Sequence, residues 1–325
     1  MKRLAAGLLL SGACAAAALA APAQAQDYPT HPVKLVVPFA PGGGNDVFAR
    51  LLAQRLSEAW KQQVIVDNRA GAGGNIGSEQ VAKSPPDGYT LLLGHTGSLA
   101  INPSLYTKLP FDPQKDLAPI SLIASTPLVL VVHPGVAATT VNDLIALARA
   151  QPGQLNYASS GSGTGSHLAG ELFAGMAAIR LTHVPYKGTS PAITDLLGGQ
   201  VQMMFSVIPT ALPYVRAARL KALGVTGARP LVLLPGVPTV AASGLPGFES
   251  TLSYGVLAPK GTPETIIREI HDQTAKLLAT PAFKERLASE GAEPLGGSSA
   301  DFAALIRFET EKWRRVVQAS GARAD

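Results

Sequence analysis

An α/β fold in two halves is what this sequence of 325 residues predicts, and three observations predict it. Apolar runs of strand character alternate with amphipathic helical segments, the order that builds βαβ units around parallel sheets. The alternation begins near residue 33 and restarts near residue 141. Each half also holds a glycine-rich joint between a strand and a helix, Pro41-Gly42-Gly43-Gly44-Asn45-Asp46 in the first and Ser160-Gly161-Ser162-Gly163-Thr164-Gly165-Ser166 in the second.

The first residues are set apart from this pattern. Lys2 and Arg3 precede an apolar stretch from Leu4 to Ala21, and the small-residue triplet Ala23-Gln24-Ala25 follows. This is the order of a secretory signal peptide, with cleavage expected after Ala25 and a periplasmic mature chain. The stretch is rich in alanine and small residues, which disfavours a retained membrane helix. Cys14, the only cysteine, would leave with it, and Ser11-Gly12-Ala13 lacks the aliphatic residue a lipidation signal would carry. Without residues 1–25 the chain loses two of its 27 basic residues and none of its 22 acidic ones, which leaves a net charge of +3. Lys and Arg are scattered singly, so no nucleic-acid partner is expected. About 300 residues remain, roughly two domains by size.

The elements follow in order. Val33–Phe39 is a buried-strand run, and a helix follows with Phe48, Leu51, Leu52 and Leu56 on one face. Val64–Val66, a helical segment at 76–83 and Tyr89–Leu93 continue the alternation. It resumes with a helix at Val141–Ala150, a strand at Leu155–Ser159, a helix at Ser166–Ala177 and a strand at Leu181–Tyr186. A helix at Pro191–Leu197 and strands at Val201–Phe205 and Leu220–Thr226 complete the second half. Three helices close the chain at Pro263–Leu278, Pro281–Ser289 and Ser299–Val317. The last carries Phe302, Leu305, Ile306, Trp313, Val316 and Val317 as one stripe suited to packing on a sheet. Two extended stretches, Ser121–His133 and Thr251–Pro259, fall where the chain would pass between halves. One lobe is therefore expected at 27–125 plus 255–325 and the other at 126–254, with two crossings as a hinge. Ligands of such open sheets bind at the carboxyl ends of the strands.

The two joints offer bare backbone N–H groups at helix N-termini, where partial positive charge favours an anion. Glycine lets the backbone approach an oxyanion without a Cβ in the way, and amide bonds to a carboxylate are charge-assisted. Asp46, an acid beside such a site, is assigned to capping its helix and structuring the loop. Thr164 and Ser166 are candidates for the second helix cap or for direct contact. His167 stands four residues before Glu171, the spacing of a metal pair, but two ligands are too few and no HExxH motif occurs, so no metal is expected. It is otherwise a neutral donor at the cleft or a buried structural histidine. No Gly-x-Ser-x-Gly elbow, Walker ending or dinucleotide Gly-x-Gly-x-x-Gly pattern is present, which argues against an enzyme and against a cofactor.

Several runs carry a resemblance. Phe39-Ala40-Pro41-Gly42-Gly43-Gly44-Asn45-Asp46, Asn68 with Gly71-Ala72-Gly73-Gly74-Asn75-Ile76-Gly77, Asp87-Gly88-Tyr89-Thr90-Leu91 and His183-Val184-Pro185-Tyr186-Lys187-Gly188 are similar to the Bug family. These are the TctC-type extracytoplasmic solute receptors of tripartite tricarboxylate transporters. Tyr254-Gly255-Val256-Leu257-Ala258-Pro259 is another such run, and the likeness extends over essentially the whole chain after residue 25. It implies a type II periplasmic binding protein, two lobes each with a mainly parallel sheet, joined by a two-strand hinge. It also implies a small carboxylate ligand held through backbone amides and handed to membrane transporter subunits.

By matching motif, Phe39, Gly42, Gly43 and Gly44 would form one lobe's binding loop, with Thr96 and Gly97 beside it. Ser160, Gly161, Gly163, Ser166 and His167 would form the opposing loop, adjoined by Tyr186, Lys187 and Gly188. Lys187 is a candidate partner for a second carboxylate, or else a solvated loop lysine. Where many relatives carry Asp or Asn after a Met-Phe pair, this chain has Ser206, which cannot pair with an ammonium group. An unaminated carboxylate is expected over an amino acid. A monomer is expected, and a sensor for a membrane kinase would need the same clamp as a transporter receptor.

Overall fold

The computed structural model describes residues 28–324. The predicted signal segment and Cys14 lie outside the described residues.

Strand β1 (Val33–Val37) begins the fold as a nearly continuous apolar run, the signature of a strand covered on both faces. It pairs in parallel with β2 (Val64–Asn68) on one side and β3 (Thr90–His95) on the other, so Leu35 lies opposite both Val66 and Leu91. Helix α1 (Gly44–Trp60) connects β1 to β2 and buries Phe48, Leu52 and Leu56, while Leu51 packs at the margin. Helix α2 (Asn75–Ala82) connects β2 to β3. After β3 the chain makes a π-type turn at Gly97–Ile101 and a short helix α3 (Asn102–Leu105).

Strand β4 (Leu117–Val132) is long enough to serve two sheets. From Leu117 to Pro127 it pairs antiparallel with β9 (Thr251–Pro259), and β9 in turn pairs antiparallel with β3. From Leu128 onward it exchanges that neighbour for β7 (Met203–Val207), with Leu128 opposite Val207, and for β8 (Lys221–Val225). The second sheet continues from β7 to β5 (Asn156–Ser159) and then β6 (Thr182–Pro185), all parallel. Each half thus keeps a three-stranded parallel ladder, and the antiparallel pairings are those made by β4 and β9.

Helix α4 (Val141–Ala150) opens with a reciprocal capping box between Thr140 and Asp143. Helices α5 (Gly165–Ala177) and α6 (Thr189–Leu197) join the parallel strands of the second sheet. Helix α7 (Ile208–Arg216) is one the sequence reading does not anticipate, because Pro209 and Pro213 look like breakers. Pro209 falls in the first turn, where an N–H has no intrahelical acceptor to lose, and Pro213 forfeits a single bond.

Helices α8 (Glu264–Ala279), α9 (Pro281–Ser289) and α10 (Ser299–Ser320) close the chain, with β10 (Glu293–Pro294) added to β4. The stripe on α10 divides its work: Phe302 and Ile306 pack on the first sheet with Leu257. Trp313 and Val317 pack with Leu168 of α5.

Candidate functional site

The first glycine joint is held by Asp46. The chain leaves β1, turns at Gly42 in the left-handed region with φ 81°, and enters α1 with Gly43 at the N-cap position. Asp46 therefore acts from the third helical position instead of the cap. Its carboxylate accepts the Gly42 amide at 2.9 Å, Arg50 Nε at 2.9 Å and Asn68 Nδ2 at 3.0 Å, and Asn68 also donates to the Phe39 carbonyl. Burial opposes ionisation of this carboxyl, but the bonds from Arg50, Gly42 and Asn68 outweigh it and hold its pKa below the ordinary value. The acid is thus consumed inside the loop. The first amides of α1, Gly44 and Asn45, are among those a helix leaves without an intrahelical acceptor.

The second joint is held by hydroxyls and an imidazole. Thr164 caps α5: its Oγ1 donates to the Gly161 carbonyl at 2.7 Å and accepts the His167 amide. Ser159 Oγ accepts the Gly161 amide at 3.1 Å, and His167 Nδ1 accepts the Gly163 amide at 3.2 Å. Ser166 donates its hydroxyl to the Phe205 carbonyl. Behind the loop the His167 ring stacks on His183 at 3.9 Å, and His183 Nε2 lies 2.6 Å from Ser159 Oγ. Burial, with His183 beside it, pushes His167 down to about 3, and burial alone pushes His183 to about 4. The Gly163 bond requires an unprotonated Nδ1 on His167. His167 Nε2 stands 3.7 Å from Glu171, and no group of three His, Cys, Asp or Glu among the described residues is placed to hold a metal ion.

The two joints face each other across a narrow cleft. Phe39, Gly43, Gly44, Asn45 and His95 line one side. Ser160, Thr164, Gly165, Ser166, Thr189 and Val207 line the other, and Leu252 and Tyr254 reach in from β9. His95 stacks on Phe39 at 4.7 Å, accepts the Gly97 amide on Nδ1 at 2.7 Å, and is pushed down to about 4 by burial. Tyr254 is fully buried, and its hydroxyl has no hydrogen-bond partner among the described residues. A Cβ on Gly44 would stand 3.1 Å from that hydroxyl and 3.3 Å from Val207. Burial raises the phenol's pKa, so Tyr254 keeps its proton as a donor. The cleft walls mix polar groups with Phe39, Val207 and Leu252, and among the described residues they hold no Lys, Arg, Asp or Glu.

A wider, more open space adjoins the cleft, and Phe39 and Ser160 line both. Its other walls are Gly71–Gly74, Tyr106, Gly161, Ser162, Pro185, Tyr186, Lys187 and Ala324. Three hydroxyls tie the two halves together near these spaces. Ser190 donates to the Pro41 carbonyl at 3.0 Å, Thr210 to the Gly42 carbonyl at 3.2 Å and Tyr106 to the Ser162 carbonyl at 3.3 Å. A Cβ on Gly73 would collide with the Ser162 carbonyl, so that approach requires glycine.

Among the residues singled out from sequence, Phe39, Gly43, Gly44, Ser160 and Ser166 line the cleft, and Gly161, Tyr186 and Lys187 line the wider space. Gly42, Gly163 and Gly188 sit at the seams, against Ser190, Asn102 and Ala40 respectively. Four lie elsewhere. Thr96 accepts the Ser253 amide, Gly97 turns beneath His95, and His167 stands behind its loop. Ser206 points off the cleft because side chains alternate along a strand, and β7 presents its neighbour Val207 instead. His95, Thr189, Val207, Leu252 and Tyr254 are lining residues that the sequence reading omits. Tyr254 heads a run noted for its resemblance, which was the available signal.

A family model described as the tripartite tricarboxylate transporter family receptor, TctC, matches residues 48–322. Protein BugT of Bordetella pertussis is 39% identical over 310 residues, covering 95% of this chain and 95% of that protein. The solved structure of R. palustris Rpa4515 with adipate is 39% identical, covers 91% of this chain and 99% of that one, and superposes with a TM-score of 0.89. MatC from Rhodopseudomonas palustris with bound malate is 31% identical, covers 89% and 100%, and gives a TM-score of 0.85.

Proposed function

The chain belongs to the family of tripartite tricarboxylate transporter receptors, TctC, and from that premise we propose that it captures a small carboxylate between two closing lobes. It then delivers the acid unchanged to membrane transporter subunits. The lobes are residues 27–125 with 255–325, and 126–254. The observation that carries this reading is the pair of opposed helix N-termini, α1 and α5, on one cleft that also receives the unpartnered Tyr254 hydroxyl.

Attraction by helix termini supplies roughly 0.3–1 kcal/mol each, and micromolar affinity needs about −8 kcal/mol. The remainder comes from charge-assisted bonds, about 1.5–3 kcal/mol apiece, and from apolar contact with Phe39, Val207 and Leu252. Contacts to both loops exist only when the lobes are together, so binding shifts the open and closed populations toward closure. The absence of an acidic side chain from the cleft leaves an amino acid's ammonium unpaired, which favours unaminated acids. Two relatives are solved with adipate and malate, and a dicarboxylate is the ligand class we assign here.

The protein acts in the periplasm after cleavage behind Ala25, as a monomer and without turnover. No helix among the described residues is long and apolar enough to cross a membrane. Calorimetry on the purified protein against mono-, di- and tricarboxylates, aromatic acids and amino acids tests the reading. Saturable binding of a dicarboxylate, tighter than glutamate or aspartate, is expected. Tighter amino-acid binding, or hydrolysis of an ester or amide panel, overturns it. Pull-down of membrane subunits tests delivery, and N-terminal sequencing of the exported protein tests the cleavage site.

A further inference from the structure

We infer that Lys187 selects for a second acidic group on the ligand, so that the bound molecule is an α,ω-dicarboxylate with one end in the cleft and the other in the wider space. This rests on the carboxylate-receptor reading above and adds to it which residue reads the far end. The inner cleft offers amides, hydroxyls and a neutral imidazole but no cationic side chain, so a second carboxylate placed there would lack a counter-charge. The wider space shares Phe39 and Ser160 with it as lining residues, and among the described residues Lys187 is its one charged side chain.

Lys187 is exposed and makes no hydrogen bond or ion pair with the described residues, so its ammonium is available. Phe39, shared by both spaces, gives an apolar surface for a methylene spacer. An ω-ammonium acid of the same length would meet repulsion where the diacid meets attraction.

The test compares adipate, hexanoate and 6-aminohexanoate by calorimetry on the wild-type protein, Lys187→Gln and Lys187→Glu. An exposed charge pair predicts that the wild type prefers adipate over hexanoate by roughly two- to fivefold, with 6-aminohexanoate weakest. Lys187→Gln brings adipate and hexanoate together, and Lys187→Glu places 6-aminohexanoate above adipate. Lys260→Gln, an exposed lysine just beyond β9, keeps the wild-type order and controls for net charge. Equal affinities in the wild type, or an adipate preference that survives both Lys187 variants, overturns the assignment while leaving the carboxylate reading standing. Failure of every acid to bind, with folding intact, overturns that reading instead.

Discussion

Replacing Tyr254 with phenylalanine separates ligand binding from stability. The ring itself is well placed to stay: it packs edge-on against Phe48 at 4.8 Å and against His95 at 5.9 Å, and phenylalanine preserves both contacts without opening a cavity. What leaves is a buried hydroxyl with no partner among the described residues. Leaving such a group unsatisfied costs about 1–3 kcal/mol, so the ligand-free variant is expected to be no less stable than the wild type and to melt at the same temperature or slightly higher. In the complex the phenol donates to a carboxylate, a bond worth about 1.5–3 kcal/mol. Its loss weakens binding by roughly 10- to 150-fold. Calorimetry with the tightest-binding dicarboxylate and thermal unfolding without ligand read the two quantities separately. A dissociation constant within twofold of wild type, or a variant that melts several degrees lower, refutes the placement of this hydroxyl as a ligand donor.

Gly44→Ala should weaken binding by at least tenfold, because its Cβ enters the cleft 3.1 Å from the Tyr254 hydroxyl, while Gly43→Ala, whose Cβ would meet Thr189 at an ordinary 3.5 Å, should change it far less; equal effects in calorimetry count against the cleft. Ser190→Ala and Thr210→Val each remove one hydroxyl bond between the halves, about 0.5–1.5 kcal/mol, and should lower affinity by a few-fold while small-angle scattering shows a more open ligand-free protein. An unchanged scattering profile in the double variant speaks against these bonds as closing contacts. Stability should fall with acid between pH 6.5 and about 3: His95, His167 and His183 have folded-state pKa values below the unfolded value of about 6.5, so the unfolded chain binds more protons in that window. Their stabilisation is complete above that window and is lost as pH drops through it. Melting temperatures that stay flat from pH 7 to 4.5 refute the neutral-histidine arrangement.

Much of the fold was legible because burial leaves periodic marks. β1, α1, α4 and α9 follow directly from apolar period and caps, and β9 was recognisable as extended chain at its observed bounds. Boundaries drifted where the signal was only hydrophobicity. Val201 is buried and reads as strand, yet the ladder begins at Met203 and runs to Val207, a shift of two residues that moves the strand end into the cleft. The pairing of β4 with two sets of neighbours was beyond reading, since one apolar run of 16 residues says nothing about a change of partner between Pro127 and Leu128.

The site was legible only in its backbone half. Consecutive glycines before a helix announce amides free to bind, and both joints were found on that ground. The residues that finish the cleft come from β3, β7 and β9, brought together by the sheet across 45 to 159 residues of chain, and strand residues facing a cleft look like strand residues facing a core. His167 shows the converse. Its position in a glycine loop suggests a ligand, but its ring turns back behind the loop, where Nδ1 accepts the Gly163 amide.

The placement of Leu252 and Tyr254 gives the cleft a mechanical property. Both stand on β9, where they lie opposite Thr126 and Ala124 of β4, within the last few residues before β4 changes its neighbours. A ligand that contacts the α1 amides, the α5 amides and β9 therefore touches each half and the strand pair that joins them. In the proposed closure the α1 amides belong to one lobe and the α5 amides to the other, and Leu252 and Tyr254 fall at the boundary between them. The differential affinity for the proposed closed state would reside in the contacts a ligand makes to both glycine joints at once.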